Sequence, residues 1–244
     1  MRTFLLTLVS ALAVAGTAPA QPEGPNQVTA ALVMSSPRGE FNDNTDTGWG
    51  FEGAYVRSIT GNRVVGIGLS GSFLGYGSTS RRVPLSSTIP DILVDVETNN
   101  NTAFVLGLFE LRVPGRFQPY VQAVGGGGFF YTTTSLEDTE NEQVVLSDTN
   151  QSDETWVWGG GGGLRFRVWE GGPDAEDEAT PGLEAFSRSR AYVDVGARYL
   201  KGNEVEYLKE GSLVTDDGEF DIDPRLARSE IELVRYQVGI TVTF

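Results

Sequence analysis

Ser229–Phe244, with the sequence SEIELVRYQVGITVTF, is the stretch that decides the fold. Val234, Tyr236, Val238, Ile240, Val242 and Phe244 recur at a period of two, and Arg235, Gln237, Gly239, Thr241 and Thr243 fill the alternate positions. A helix would group its apolar residues three and four apart, so this alternation specifies a strand with one apolar and one polar face. It is longer than the usual half-buried strand and matches the length that crosses a bilayer obliquely.

Seven segments upstream read the same way: Gln27–Ser35, Gly48–Ser58, Arg63–Gly77, Thr102–Val113, Phe117–Thr134, Glu154–Trp169 and Arg190–Lys201. In Thr102–Val113 the apolar side carries Ala103, Val105, Phe109, Leu111 and Val113, which turns Glu110 and Arg112 inward. In Arg190–Lys201, Ala191, Val193, Val195, Ala197 and Tyr199 point outward and Asp194 and Arg198 inward. Hydrocarbon offers no hydrogen-bonding partner to a peptide group, so strands cross it only as a sheet closed on itself. The expectation is an all-β, closed antiparallel up-and-down transmembrane β-barrel of eight strands, or of ten if Val83–Leu85 and Ile92–Val96 form an added hairpin.

Connection lengths set the orientation. Ile59–Arg63 and Val113–Arg116 read as tight turns, whereas 36–47, 78–101, 135–153 and 202–228 are long and polar. Barrels of this type keep short turns on the periplasmic side and long loops outside. The connection Glu170–Ser189 is long for the periplasmic side. Aromatic residues near strand ends fit two interfacial belts: Trp49, Phe51, Phe129, Phe130, Tyr131, Trp156 and Trp158 outside, and Tyr55, Phe117, Phe166, Trp169 and Phe244 on the periplasmic side.

At the other end, Arg2, an apolar stretch from Phe4 to about Ala15 and the small-residue pattern Ala18-Pro19-Ala20 read as a secretory signal peptide over 1–20, cleaved before Gln21. That stretch is shorter than the ~20 residues a spanning helix requires, and no later run is comparable. Residues 21–244 are expected to form one barrel domain. The 31 glycines and abundant Thr, Val and Tyr suit strands and turns. There is no cysteine, so disulfides supply none of the stability. The formal charge is −15, and loss of Arg2 leaves 17 basic against 33 acidic residues, or −16. Such acidity argues against nucleic acid as a partner.

Two features carry a family resemblance. A chain that ends with Tyr236, Val238, Ile240, Val242 and Phe244 on its apolar face resembles the terminal assembly signal of bacterial outer-membrane barrels. Pro119-Tyr120-Val121-Gln122-Ala123-Val124-Gly125-Gly126 resembles the PYVGAGxG-type strand of small eight-stranded outer-membrane barrels, the family typified by the membrane domain of outer-membrane protein A, with Gln122 where glycine is usual. The resemblance implies location in the outer membrane, with lipids and the barrel-assembly machinery as partners. No peptidoglycan-binding domain is expected after the barrel, and cell-wall anchoring is not implied.

Eight charged residues fall on the expected inner face: Glu52, Glu110, Arg112, Arg165, Arg167, Asp194, Arg198 and Arg235. An eight-stranded barrel is just wide enough for side chains to fill it, so these groups are expected to pair as a luminal charge network. The preferred reading is a structural plug; the alternative is a narrow porin-like channel or solute carrier. The glycine runs Gly125–Gly128 and Gly159–Gly163 lack the flanking residues of phosphate-binding loops. With a hairpin centred near 144 they would lie opposite each other, leaving a bare wall patch that serves either sharp curvature or docking.

Two acidic runs, Glu137–Glu154 and Asp216–Asp223, offer oxygen ligands for divalent cations, but neither matches the twelve-residue calcium loop. No cofactor and no metal ligand set is expected. The absence of His and Cys removes His-dependent triads and thiol nucleophiles, so the chain is expected not to be an enzyme. The preferred function is a non-enzymatic surface barrel displaying acidic loops for envelope integrity, adhesion or binding. A soluble lipocalin-like carrier is the third reading, which the inward Arg and Glu oppose.

Overall fold

The computed structural model describes residues 24–39, 42, 46–86, 89–138, 144–171, 189–208, 213–216, 219–222 and 226–244; within 77–99, 132–152 and 205–228 it describes the backbone alone. The expected leader, 1–20, lies outside these residues. The strands are β1 Asn26–Pro37, β2 Gly48–Ser58, β3 Val65–Ser86, β4 Ile89–Arg112, β5 Phe117–Asp138, β6 Val144–Glu170, β7 Arg190–Leu208, β8 Leu213–Asp216, β9 Glu219–Ile222 and β10 Leu226–Thr243. Eight of them close into an antiparallel up-and-down ring, β1-β10-β7-β6-β5-β4-β3-β2, while β8 and β9 form a separate two-stranded hairpin.

Closure occurs where the first and last strands meet. β1 and β10 pair from Gln27↔Thr243 to Pro37↔Leu233. Below that ladder Asn26 and Phe244 exchange backbone hydrogen bonds of 3.1 and 3.0 Å. The ring therefore has no free edge at membrane height.

Alternation along each strand sorts side chains to the two sides of this wall. On β10, Val234, Tyr236, Val238, Ile240 and Val242 face out, and Ile231, Leu233, Arg235, Gln237 and Thr241 are buried inside. Nine residues, 234–242, tilted by about 40° rise roughly 23 Å, the height of an apolar belt. The outward positions between Lys201, Glu232 and Glu154 at one end and Arg57 and Glu170 at the other carry no charge. Large apolar side chains stand exposed there, Leu32 at 67 % and Leu69 at 63 %, a surface that water would penalise and lipid does not.

Several sequence expectations change. The extra hairpin at Val83–Leu85 and Ile92–Val96 is not an added strand pair: Val83↔Val94 and Pro84↔Leu93 continue β3 and β4 beyond the membrane. Much of 78–101 and 135–153, read as loop, is likewise strand, because β3, β4, β5 and β6 keep pairing as far as Ser86↔Ile89, Val94↔Asp138 and Glu137↔Val144. With no lipid to select an apolar face there, the strands carry no visible period of two in the sequence. β6 and β7, by contrast, pair only up to Val157↔Gly202 among the described residues.

The tight turns differ in their chemistry. In Ile59–Val64 the left-handed position belongs to Arg63, with φ 59°, rather than to Gly61, whereas Gly115 takes φ 151° in the second turn. Arg63 holds its strained backbone while its carbonyl accepts a 3.0 Å bond from Arg112 Nε. The long periplasmic connection is clamped at its ends: Gly171 N donates to Ser189 O at 2.9 Å, and Arg190 Nε meets Glu170 Oε1 at 2.7 Å.

Candidate functional site: the filled lumen

The inward positions divide the lumen into two layers. Towards the outside lies an apolar cluster containing Leu74, Tyr76, Phe104, Leu106, Phe130, Val157, Leu200, Ile231 and Leu233. Phe130, expected in the outer aromatic belt, is turned inward and meets Phe104 edge-on at 6.0 Å. Its strand puts even-numbered residues inside, so Phe129 and Tyr131 face out and Phe130 cannot. The expectation of a lumen lined by charge thus holds for one part of its height only. β4 shows why: Phe104, Leu106 and Leu108 face in on the same side as Glu110 and Arg112, and both faces of its middle are apolar.

Towards the periplasm the charges meet. Arg165 Nη1 and Nη2 donate to Glu110 Oε1 and Oε2, both at 2.9 Å, and Arg165 Nε donates to Asp194 Oδ2 at 2.8 Å. Arg112 Nη1 reaches Glu110 Oε1 at 3.2 Å and its Nη2 reaches the Ser58 hydroxyl. Arg198 Nη1 lies 2.7 and 2.9 Å from the two oxygens of Glu52, and Arg235 Nη2 lies 3.0 Å from Glu52 Oε2. Apart from Arg167, every charged residue read from the sequence as luminal belongs to this set. Arg167 lies at the periplasmic end, partly exposed, 3.1 Å from Glu170 Oε1.

Neutral residues join the pairs into one network, and sequence reading passed them over. Gln122 donates to Glu110 Oε2 at 2.7 Å and accepts from Arg198 Nε at 3.0 Å, bridging the Glu110 and Glu52 groups. It is the position at which this strand departs from the glycine of the resembling motif, and that departure was the available signal. Tyr120 donates to Asp194 Oδ1 at 2.7 Å, its ring lies 4.1 Å beneath the Arg165 guanidinium, and Thr241 donates to Asp194 Oδ2 at 3.2 Å. Gln27 accepts from Arg165 Nη1 at 3.2 Å, so the network also reaches the first strand.

The arrangement neutralises Glu110, Asp194 and Glu52 but leaves one guanidinium in excess. The enclosed set holds three acids and four arginines, Arg112, Arg165, Arg198 and Arg235, a sum of +1. The excess falls on Arg235, whose Nε and Nη1 have no hydrogen-bond partner among the described residues although the residue is buried. Its guanidinium lies 5.3 Å from the centre of the Phe104 ring, at the junction of the two layers.

The glycine runs do not face each other. Gly125–Gly128 pair with Trp158, Val157, Trp156 and Thr155, and Gly159–Gly163 pair with Val124, Ala123, Gln122, Val121 and Tyr120. The hairpin is centred near 141.5 rather than 144, so the runs sit end to end across the strand pair and the bare patch does not form. Several of them instead sit where neighbouring backbone approaches closely. A Cβ on Gly159 or Gly161 would stand 2.0 or 2.1 Å from a backbone oxygen of β7, and one on Gly126 2.1 Å from Val105 O. Gly163 and Gly196 also leave the socket for the Tyr120 hydroxyl, each placing a hypothetical Cβ 2.6 Å from it.

Among the described residues no cluster of Asp, Glu, His or Cys is arranged to hold a metal ion. The side chains of most of the acidic runs, Glu137–Asp148 and Asp216–Asp223, lie outside the described ones. The assembly-signal residues Tyr236, Val238 and Ile240 are exposed on the lipid side of β10, Val242 is partly exposed, and Phe244 ends the chain at the periplasmic rim.

Comparison with solved structures gives several likenesses, three of which follow. Neisserial surface protein A is 11 % identical over 92 % of this chain and 100 % of that one, with a TM-score of 0.42. Ail, the attachment invasion locus protein of Yersinia pestis, is 14 % identical over 91 % and 99 %, with a TM-score of 0.38. The N-terminal β-barrel domain of Pseudomonas aeruginosa OprF is 14 % identical over 90 % and 99 %, with a TM-score of 0.35. Comparison with curated protein sequences found no match. A family model for the outer membrane protein beta-barrel domain matches residues 4–207. With that match over most of its length, a closed ring and an uncharged belt, the chain belongs to the family of outer membrane β-barrel domains and resides in the bacterial outer membrane.

Proposed function

We propose that this protein is a non-enzymatic barrel of the outer membrane that seals its own lumen and serves as a rigid base for strands displayed outside the cell. The observation that carries this reading is the double filling of the lumen. Among the described residues an apolar plug lies over a buried ion-pair network, and this double filling supports a lumen closed to solutes. Above the belt, β3–β6 continue as a paired sheet to Ser86↔Ile89 and Glu137↔Val144, and loops held on a rigid scaffold are where binding function concentrates. Their acidic sequence suits a surface-exposed binding or adhesive role more than a catalytic one.

Two measurements, one on the purified protein and one on cells, test the reading. In planar bilayers the protein should give no reproducible open steps, and unitary conductance would instead assign it a channel role. On cells, hairpins shortened to Asn-Gly turns at 77–99 and 132–151 should keep heat-modifiable gel migration yet lower attachment to host or abiotic surfaces severalfold. Unchanged attachment would remove the display role.

A further inference from the structure

We propose that a basic arc on the rim with the short turns, formed by Arg57, Arg63 and Arg116, holds the phosphate groups of anionic phospholipids in the periplasmic leaflet. This inference rests on the membrane placement of the barrel and is independent of the display role. The two ends of the barrel carry opposite charge. Among the described side chains the outer end sets Arg38 and Lys201 against six carboxylates, whereas the end with the short turns sets Arg57, Arg63, Arg116, Arg167 and Arg190 against Glu170. Glu170 is already shared, 3.1 Å from Arg167 Nη1 and 2.7 Å from Arg190 Nε. No ion pair between described residues includes Arg57, Arg63 or Arg116.

Their placement follows from the strands. On β2 the outward residues Phe51, Gly53, Tyr55 and Arg57 alternate with inward ones, so Arg57 continues the lipid-facing side and is its first charge past the belt. Its register partner on β3 is Ile67, 50 % exposed. The turn after β2 carries Arg63, and Arg112 Nε binds the Arg63 carbonyl at 3.0 Å, fastening that turn to the foot of β4. The next turn carries Arg116, whose carbonyl accepts from Arg167 N at 2.8 Å and so ties it to β6. The three arginines therefore stand along one continuous stretch of rim, with Arg57 and Arg116 exposed and Arg63 half-buried.

Height and chemistry name the occupant. Phe117 and Phe166 meet edge-on at 5.0 Å and stand exposed, as does Trp169, an aromatic girdle of the kind found at headgroup level. Arg116 directly precedes Phe117 and shares that level. A guanidinium presents parallel N–H groups that fit a phosphate, and each basic residue beside a membrane surface adds attraction for anionic lipid. The leaflet on this side of an outer membrane is phospholipid, so phosphate is the neighbouring anion. The formal charge of the whole chain is −15, which by itself repels such lipid. A preference for anionic headgroups thus reports the arc and not the molecule's net charge.

The test reconstitutes the barrel in phosphatidylcholine vesicles with trace spin-labelled phosphatidylglycerol or phosphatidylethanolamine, whose headgroup carries its own cation. Electron spin resonance reads the motionally restricted fraction of each. Phosphatidylglycerol should be preferred about twofold or more at low ionic strength. The preference should fall towards parity in about 0.5 M salt, where exposed charges are screened. Arg57→Gln combined with Arg116→Gln should abolish it with heat-modifiable migration unchanged, and Glu154→Gln at the opposite rim should leave it in place. Equal restriction of the two lipids, a preference that survives the double substitution, or an equal loss in Glu154→Gln would overturn the arc. If the double variant does not fold, the parent decides, because a preference indifferent to salt would overturn the arc as well. Failure of the parent to enter the vesicle fraction would instead strike at the membrane placement itself.

Discussion

Arg165 and Glu110 are 55 residues apart in sequence, yet they meet through two bonds of 2.9 Å with both side chains shut off from solvent. This forked contact fixes β4 against β6 across the lumen, and Asp194 holds the same guanidinium through Nε at 2.8 Å. Geometry of this kind matches the planar fork of Arg to a carboxylate, and the pair works only while both partners are present.

Glu110→Gln leaves Arg165 and Arg112 without the carboxylate they share. Removing one partner from a buried ion pair costs about 3–5 kcal/mol, since the remaining charge stays buried. Urea unfolding of the protein folded into lipid vesicles should show that loss, together with a lower temperature for the gel-mobility shift. A change below about 1 kcal/mol would mean that water reaches the network.

Arg235→Met should behave in the opposite way. Arg112, Arg165 and Arg198 still balance Glu52, Glu110 and Asp194 in that variant, and two Arg235 nitrogens without partners among the described residues are removed. The methionine enters a site already bordered by Phe104. Stability should stay within about 1 kcal/mol of the parent or rise, as is common when well-packed apolar groups replace surplus buried charge. A loss as large as that of Glu110→Gln would show that Arg235 has a counter-ion of its own.

Val238→Arg tests the belt. Val238 is paired with Leu32 and Val195, both outward and apolar, and its own side chain is 51 % exposed. An Arg near the bilayer midplane costs about 2–4 kcal/mol, whereas an exposed site in water would accept it. The folded fraction in vesicles should fall accordingly, and parity with the parent would place this face outside hydrocarbon.

Gly161→Ala and Gly53→Ala separate the two uses of glycine in the wall. A Cβ at Gly161 would stand 2.1 Å from Ala197 O, while one at Gly53 meets nothing within 4 Å. The first change should lower stability by about 3 kcal/mol or more, or block closure; the second should be neutral or slightly stabilising, because Gly carries excess chain entropy in a strand. Refolding yield from urea into detergent gives the comparison directly.

The strand pattern was legible because lipid imposes a strict rule on every second residue. Val238, Ile240 and Val242 had to be apolar, and Arg235 and Gln237 had to turn away. Where the rule lapses, the reading faded: Leu93, Val94 and Leu146 belong to strands outside the membrane, where no face is obliged to be apolar, and they read as loop or, for Leu93 and Val94, as an optional added hairpin. The inward charges were legible for the same reason, since an Arg that alternates with outward apolar residues has only the lumen to occupy. Phe104, Leu106 and Leu108 were not, because an apolar side chain suits either side of the wall and sequence alone gives it no direction.

Sequence by itself determined that the chain forms strands, that they close into a ring and which charged side chains turn inward, because these follow from periodicity and from the need of each peptide group for a partner. Tertiary structure alone decided which Arg meets which acid, that Gln122 bridges them, that Arg235 is left in surplus and that the glycine runs lie end to end. Those facts depend on register, and a shift of a few residues between β5 and β6 was invisible in the sequence because a run of glycines carries no side chains to fix it.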